Sequence, residues 1–302
     1  MPSYLDPDLL SRLDGLRLVP RRAQRGNVSG GLASPVMRGA SMEFVDYKAY
    51  TPGDDLRRID WKVYGRRDRY YLRSYEGETN YTLWIVLDAS RSMTFRGPGS
   101  ASDKWGYACR AALGLAYLAL KSHDACGLAL FADGLVSLVE ARASWENLSR
   151  SVEVLDNFHD FGERTDYAKS WAGLAERTGR SSLVAVFSDF LGEGSEQVAL
   201  AMEALALRRH EILAFRILDP FEEELGIASG LARVSSLETE TAPPLEMEWS
   251  QVREAYRRRF AEEDRELRLR LARRSIDYQC WRTDQDLANS LSYYLSRRLA
   301  LV

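Results

Sequence analysis

From Tyr81 onward, apolar runs of strand length alternate with segments of helix length, and this rhythm limits the fold more than any other feature of the chain. The runs fall at residues 83–88, 126–131, 135–140, 183–188, 212–218 and 276–281. Strands that are apolar on both faces and separated by helices are the pattern of an α/β domain whose sheet is largely parallel and covered on both sides. Residues 104–121 are apolar almost all round, through Trp105, Tyr107, Ala108, Ala112, Leu115 and Leu118, which predicts a helix buried beside the sheet. Residues 195–209 repeat Val198, Met202 and Leu205. Residues 250–274 keep one stripe of Val252, Tyr256, Phe260, Leu267 and Leu271 on an otherwise charged helix. The segment Thr283-Asp-Gln-Asp286 has the form of a capping box before a last helix bearing Leu287, Leu291, Tyr294 and Leu295.

Residues 1–79 differ in texture. They are rich in Arg, Tyr and Gly, carry the turn signal Thr51-Pro52-Gly53-Asp54 and show no long helical period, so a β-rich N-terminal region is expected there, with the α/β domain occupying 80–302. These first 79 residues hold 14 basic and 11 acidic side chains, whereas the whole chain has 41 and 44. The formal charge of −3 supplies no global attraction to nucleic acid. Residues 219–249 interrupt the α/β rhythm with Pro220, Pro243, Pro244 and eight acidic residues against one Arg, and are expected to form an irregular acidic excursion. Apolar stretches of about ten residues fall short of the roughly 18 to 20 that a membrane-spanning helix needs. The opening Met-Pro-Ser-Tyr-Leu-Asp-Pro-Asp lacks the basic and apolar regions of a secretory signal, so a cytoplasmic protein is expected.

The chemistry concentrates at the end of the first α/β strand, where Asp88-Ala-Ser90-Arg-Ser92 delivers one carboxylate and two hydroxyls at spacings i, i+2 and i+4. Ligands of open α/β sheets gather outside the carboxyl ends of the strands. Carboxyl and hydroxyl oxygens suit a hard divalent cation. Thr165, in a loop before a helical stretch, and Ser188-Asp189, at the end of another strand, could converge on the same edge. A plain structural alternative assigns Ser90, Ser92 and Thr165 to helix caps and Asp189 to a strand end. Other chemistries find little footing. Cys109, Cys126 and Cys280 form no CxxC pair, and His123, His159 and His210 are isolated. The glycine-rich Arg96-Gly-Pro-Gly-Ser-Ala-Ser lacks the marks of a P-loop or dinucleotide loop and reads as a mobile loop.

Asp88-Ala-Ser-Arg-Ser92 with Thr165 and Ser188-Asp189 resembles the metal-ion-dependent adhesion site of von Willebrand factor A domains. Upstream, Glu43-Phe44, Tyr50-Thr-Pro-Gly-Asp-Asp55, Arg58-Ile-Asp-Trp61 and the stretch from Arg73 to Glu78 are similar to the signature of the bacterial domain-of-unknown-function 58 family, whose members carry such an A domain. The resemblance implies a von Willebrand factor A-like, doubly wound, mostly parallel sheet beside the smaller β-rich region. It also implies Ser90, Ser92 and Thr165 as hydroxyl ligands of a divalent cation, Mg²⁺ foremost with Mn²⁺ or Ca²⁺ as alternatives, with Asp88 and Asp189 acting directly or through water. An open coordination position would accept a partner's carboxylate. Proteins of this kind are associated with MoxR-type AAA+ ATPases in chaperone-like remodelling, so the expectation is a non-enzymatic adaptor that binds no nucleic acid and does not insert in membranes. The alternative is a Mg²⁺-dependent hydrolase of phosphoesterase type with Asp88 as nucleophile, which would want a second carboxylate where Ser90 stands.

Overall fold

The structure, a computed structural model, describes residues 4–21, 43–49, 71–76, 81–179, 181–192, 194–224, 231–234 and 245–301. The chain divides into two compact units, Arg25–Asn80 and the remainder, Met1–Gln24 with Tyr81–Val302. In the smaller unit β1 (Glu43–Ala49) pairs antiparallel with β2 (Tyr71–Glu76), with a bulge between Phe44 and Asp46. The signature stretches 50–55 and 58–61, including Asp54, Asp55, Asp60 and Trp61, lie outside the described residues.

The larger unit is a mixed α/β fold built on six strands: β3 (Thr82–Asp88), β4 (Ala125–Ala132), β5 (Gly134–Arg142), β6 (Leu183–Ser188), β7 (Glu211–Leu218) and β10 (Asp277–Arg282). Their order across the sheet is β10-β7-β6-β3-β4-β5, and all neighbours are parallel except β4 and β5, which form an antiparallel pair. Each strand expected from the apolar runs is present at its place. β3 shows why the sheet is covered on both sides: Leu83, Ile85 and Leu87 enter one core and Trp84 and Val86 the other, all nearly inaccessible to water.

One face is covered by α1 (Pro7–Leu13), α2 (Lys104–Lys121), α3 (Trp145–Asp156) and α8 (Leu287–Ala300); the other by α4 (Tyr167–Ala175), α5 (Ser195–Ala206) and α7 (Trp249–Arg273). α2 is buried nearly all round because the sheet lies on one side and α1 and α8 on the other. Gly114 makes that stacking possible, since a Cβ there would press against Leu13 at 3.1 Å and Leu291 at 3.4 Å. On α7 the stripe of Phe260, Leu267 and Leu271 is buried, while Arg270 and Arg274 pair with Glu196 on α5, and Arg274 also with Glu203.

Three sequence expectations change. Residues 1–79 are not one region, because the first residues belong to the α/β unit: Leu9, Leu13 and Leu18 are buried in its core. Main-chain carbonyls there are also claimed by the body of the unit, Leu18 O by the Tyr81 hydroxyl at 2.6 Å and Val19 O by Arg298 Nε at 2.7 Å. Too short to show a helical period of its own, α1 starts at a capping Asp6 followed by Pro7. The last helix is capped by Asp286, whose side chain accepts the Asn289 N–H, and Thr283 is used elsewhere. The segment 219–249 is not wholly irregular: it contains α6 (Pro220–Glu224) and the antiparallel pair β8 (Leu231–Val234) and β9 (Leu245–Glu248).

Leu13 is fully buried between α2 and α8, far from residue 80 in sequence. Leu13→Ala is expected to lower the stability of the larger unit by about 2–5 kcal/mol in denaturant unfolding. A loss below 1 kcal/mol would detach the N-terminal helix from this core.

Candidate functional site

The first strand of the sheet, β3, lies in its middle; the chain runs from it to β4 on one side and returns later to β6 on the other. The crevice outside the carboxyl ends of β3 and β6 is therefore the topological switch point, where open α/β sheets bind ligands. Three loops meet there. The β3 loop is joined to the loop before α4 by a two-way backbone bridge, Gly162 N–H to Ala89 O at 2.9 Å and Arg91 N–H to Gly162 O at 2.7 Å. Gly162 is required by closeness, because a Cβ at that position would overlap the Ala132 methyl. The third loop leaves β6 through Ser188, Asp189 and Phe190, with Phe190 buried in the left-handed backbone region (φ 51°).

These loops bring Asp88, Ser90, Ser92, Thr165 and Asp189 together, all buried. Asp88 Oδ1 accepts the Ser90 N–H at 3.0 Å, and the Thr165 hydroxyl donates to Oδ1 and Oδ2 at 3.0 and 3.2 Å. Ser90 Oγ and Ser92 Oγ share a hydrogen bond of 3.0 Å, and Ser92 reaches Asp189. The hydroxyls are not helix caps. The 3₁₀ turn Arg91–Thr94 takes no side-chain bond from Ser90, and α4 is capped by Asp166, which accepts the Lys169 N–H at 2.9 Å.

Ser188, expected beside Asp189 at the strand end, takes a direct part in the site, and Tyr167, Lys104 and Glu222 complete it without having been expected there. The Ser188 hydroxyl donates to Asp88 Oδ2 at 2.5 Å and accepts the Phe190 N–H at 2.9 Å, with the Tyr167 hydroxyl 2.9 Å away. Lys104, at the first turn of α2 and fully buried, donates from Nζ to Asp189 Oδ2 and to Glu222 Oε1, each at 2.7 Å. Two local signals point to them. A lysine at a helix N-terminus opposes the helix dipole, so its presence needs another reason. Asp219-Pro-Phe-Glu222 is a capping box with proline at N1: Asp219 Oδ1 accepts the Phe221 N–H at 2.9 Å and Glu222 Oε2 accepts the Asp219 N–H at 3.1 Å.

The electrostatics follow from the burial. Asp88 is pushed up to about 7 by desolvation and by the charge of Asp189, against the opposing bonds from Ser188 and Ser90. Burial raises Asp189, and the charge and hydrogen bond of Lys104, together with the bonds from the Leu191 N–H and Ser92, more than reverse that and hold it below the usual carboxylate range. Burial acts to deprotonate Lys104, and Asp189 with Glu222 overcome it, keeping the ammonium charged. Two carboxylates thus share one ammonium, and Asp88 is left with neutral donors. The nearby Arg216 is occupied with the Asp189 carbonyl at 2.9 Å and with Asp264 at 3.0 Å.

Among the described residues no group of three or more His, Cys, Asp or Glu is placed to hold a metal ion. The oxygen set here is instead two carboxylates with three hydroxyls. It fits a small divalent ion in two respects: the excess negative charge on Asp88 and Asp189, and the 3.0 Å separation of Ser90 Oγ and Ser92 Oγ. That separation is a hydroxyl–hydroxyl hydrogen bond and is short enough for both oxygens to face one ion.

Beside the cluster, the buried Asp219 binds Gly97 N–H at 3.0 Å, Ser100 Oγ at 2.6 Å and Thr283 Oγ1 at 3.0 Å through its Oδ2. The glycine-rich segment that reads as a mobile loop is therefore tethered to the end of β7. His210 is buried, its Nδ1 accepting the Ser182 N–H at 3.2 Å, at the amino ends of β6 and β7 and so at the opposite end of the strands from the hydroxyl cluster.

A doubly wound α/β unit with a buried carboxylate–hydroxyl cluster at its switch point is the class of protein this structure defines. Residues 46–266 match the family described as protein of unknown function DUF58, and the chain belongs to that family. Uncharacterized proteins of Mycobacterium tuberculosis and Mycobacterium bovis are 30% identical to it over 224 residues, covering 73% of this chain and 68% of theirs. Among solved structures it is similar to the conserved hypothetical protein BatB from Bacteroides thetaiotaomicron (TM-score 0.47, 14% identity, 73% of this chain and 97% of that one). A second is the PilB minor pilin from Streptococcus sanguinis (TM-score 0.45, 9% identity, 76% and 64%). No helix among the described residues is long and apolar enough to cross a membrane.

Asp219 is held below the usual carboxylate range: burial raises it, and the bonds from Ser100, Gly97 and Phe221 more than reverse that. Since its folded value lies below the unfolded one of about 3.9, its stabilisation is present above that value and is lost as pH falls through the folded value. Asp219→Asn is expected to destabilise at neutral pH by about 1–3 kcal/mol and to remove part of the loss of stability between about pH 5 and 2, read from urea midpoints against pH. Parallel curves for the two proteins would remove this role.

Proposed function

We propose that this chain is a non-enzymatic, metal-dependent protein–protein interaction module of von Willebrand factor A type, acting in the cytoplasm as adaptor or co-chaperone of a MoxR-type AAA+ ATPase. The observation that carries the metal-dependent part is the convergence of Asp88, Ser90, Ser92, Thr165 and Asp189 at the switch point, with the hydroxyls turned to the carboxylates and to one another and not to helix ends. Ser90, Ser92 and Thr165 would hold the ion, and Asp88 and Asp189 would supply the negative charge that attracts it. Mg²⁺ is the ion the resemblance puts foremost, with Mn²⁺ or Ca²⁺ as alternatives that the same hard oxygens would accept. When bound, the ion supplies a Lewis-acidic position for an acidic side chain of the partner.

The chain's own residues do the rest. The Gly162 bridge fixes two of the loops before any ligand arrives, so little ordering entropy opposes binding. Ser188 and Tyr167 hold the Asp88 carboxylate toward the hydroxyls and away from the core. Support for the ATPase partner comes from the family resemblance of the motifs and from the absence of a P-loop signature in this sequence, which leaves nucleotide chemistry to another chain.

In thermal melting, Mg²⁺ is expected to stabilise the wild type by about 2.7 kcal/mol at a concentration a hundredfold above Kd. Asp88→Ala and the double variant Ser90→Ala/Ser92→Ala are expected to fold and to lose that response. The immobilised wild type is expected to retain a purified MoxR-type ATPase in Mg²⁺ and release it in EDTA. A metal response unchanged in the double variant would move the ion elsewhere, and equal retention in EDTA would separate the partner from the metal.

A further inference from the structure

Lys104 has no part in the metal-ligand set implied by the family resemblance, yet it is the most completely buried cation among the described residues of the larger unit, at 0% exposure. It stands at the start of α2, where the helix dipole disfavours a positive charge, and nothing apolar about that position requires a lysine. Its ammonium lies between Asp189 and Glu222 at 2.7 Å from each. Asp189 in turn has both oxygens occupied, Oδ2 by Lys104 and Oδ1 by the Leu191 N–H at 3.0 Å. The carboxylate is therefore fixed in direction and part of its charge is already countered within the protein.

We propose that Lys104 is a resident counter-ion of the switch-point site: it positions Asp189 in the metal-free protein and sets the charge against which a divalent cation must bind. This rests on the metal-site reading given above. A mobile cation entering beside Asp189 is repelled by the ammonium, so the site is preformed without metal at the cost of weaker metal binding. Glu222 acts with the opposite sign. By sharing the ammonium with Asp189 it draws positive charge away from the site, and its second oxygen, on the Asp219 N–H, anchors this tuning to the start of α6. An ion that does bind leaves the centre more positive than two aspartates alone would, which favours an acidic group from a partner over a neutral one.

The signs of two substitutions separate this role from plain structural support. Mg²⁺ and Mn²⁺ are titrated calorimetrically into the full chain, with urea unfolding of the metal-free protein alongside. Lys104→Met removes the repelling charge and is expected to tighten binding about tenfold while destabilising the metal-free protein. Glu222→Gln leaves the ammonium to the site alone and is expected to weaken binding several-fold; it also keeps the test alive should Lys104→Met fold poorly. Binding that is weakened or unchanged in both variants makes Lys104 structural only and leaves the metal site standing. Silence of the wild type and both variants toward Mg²⁺ and Mn²⁺ overturns the metal reading and the proposal with it.

Discussion

The carboxylate of Asp88 is removed from water at the end of a strand that is apolar from Leu83 to Leu87, and the arrangement of the surrounding loops answers that one burial. An ionised group in such a place costs several kcal/mol unless donors or charges replace its lost hydration. The donors come from three separate stretches of chain: the Ser90 amide, the Thr165 hydroxyl and the Ser188 hydroxyl. The Ser90 amide is local, but the two hydroxyls could not reach Asp88 unless the sheet had β3 at its centre with β4 and β6 on either side. The Gly162 bridge and the left-handed Phe190 are the backbone concessions that bring the second and third loops into range.

Charge in the cluster is unbalanced as well as buried. Asp189 is satisfied by Lys104, and Lys104 is satisfied by Asp189 and Glu222, but Asp88 has neutral donors only, and its raised pKa records the deficit. A site in this condition either holds a proton or attracts a cation. The internal ammonium holds Asp189 in place without any external ion. The same chain of contacts continues through Glu222 to Asp219 and from there to Gly97, Ser100 and Thr283, so the switch-point cluster and the tether of the glycine-rich segment share one polar network. Networks of this kind in a low-dielectric interior are rigid when every member is satisfied.

Much of the fold is legible from periodicity, because a strand buried on both faces must be apolar throughout and a helix against it must repeat near 3.6 residues. The six strands and the helices of residues 104–121, 195–206 and 249–273 stand where those periods place them. The short helices α1 and α6 have no room for a period, and only their caps, Asp6-Pro7 and Asp219-Pro-Phe-Glu222, announce them. For the cluster, Asp88, Ser90 and Ser92 are readable as a group because one loop carries them. Thr165 and Asp189 are readable by their places at loop and strand ends. Ser188 points at Asp88 instead of solvent only because β6 lies directly beside β3.

The sequence by itself determined the α/β rhythm, the faces each strand must bury and the oxygen-rich loop after β3, since these depend on local spacing alone. Tertiary structure decided that residues 4–21 join the α/β core, that the Arg96 segment is tied down by Asp219, and that Lys104 faces Asp189 across 85 positions of chain. A buried charge chooses its partner by distance in space. Only the order in which the strands lie across the sheet sets that distance.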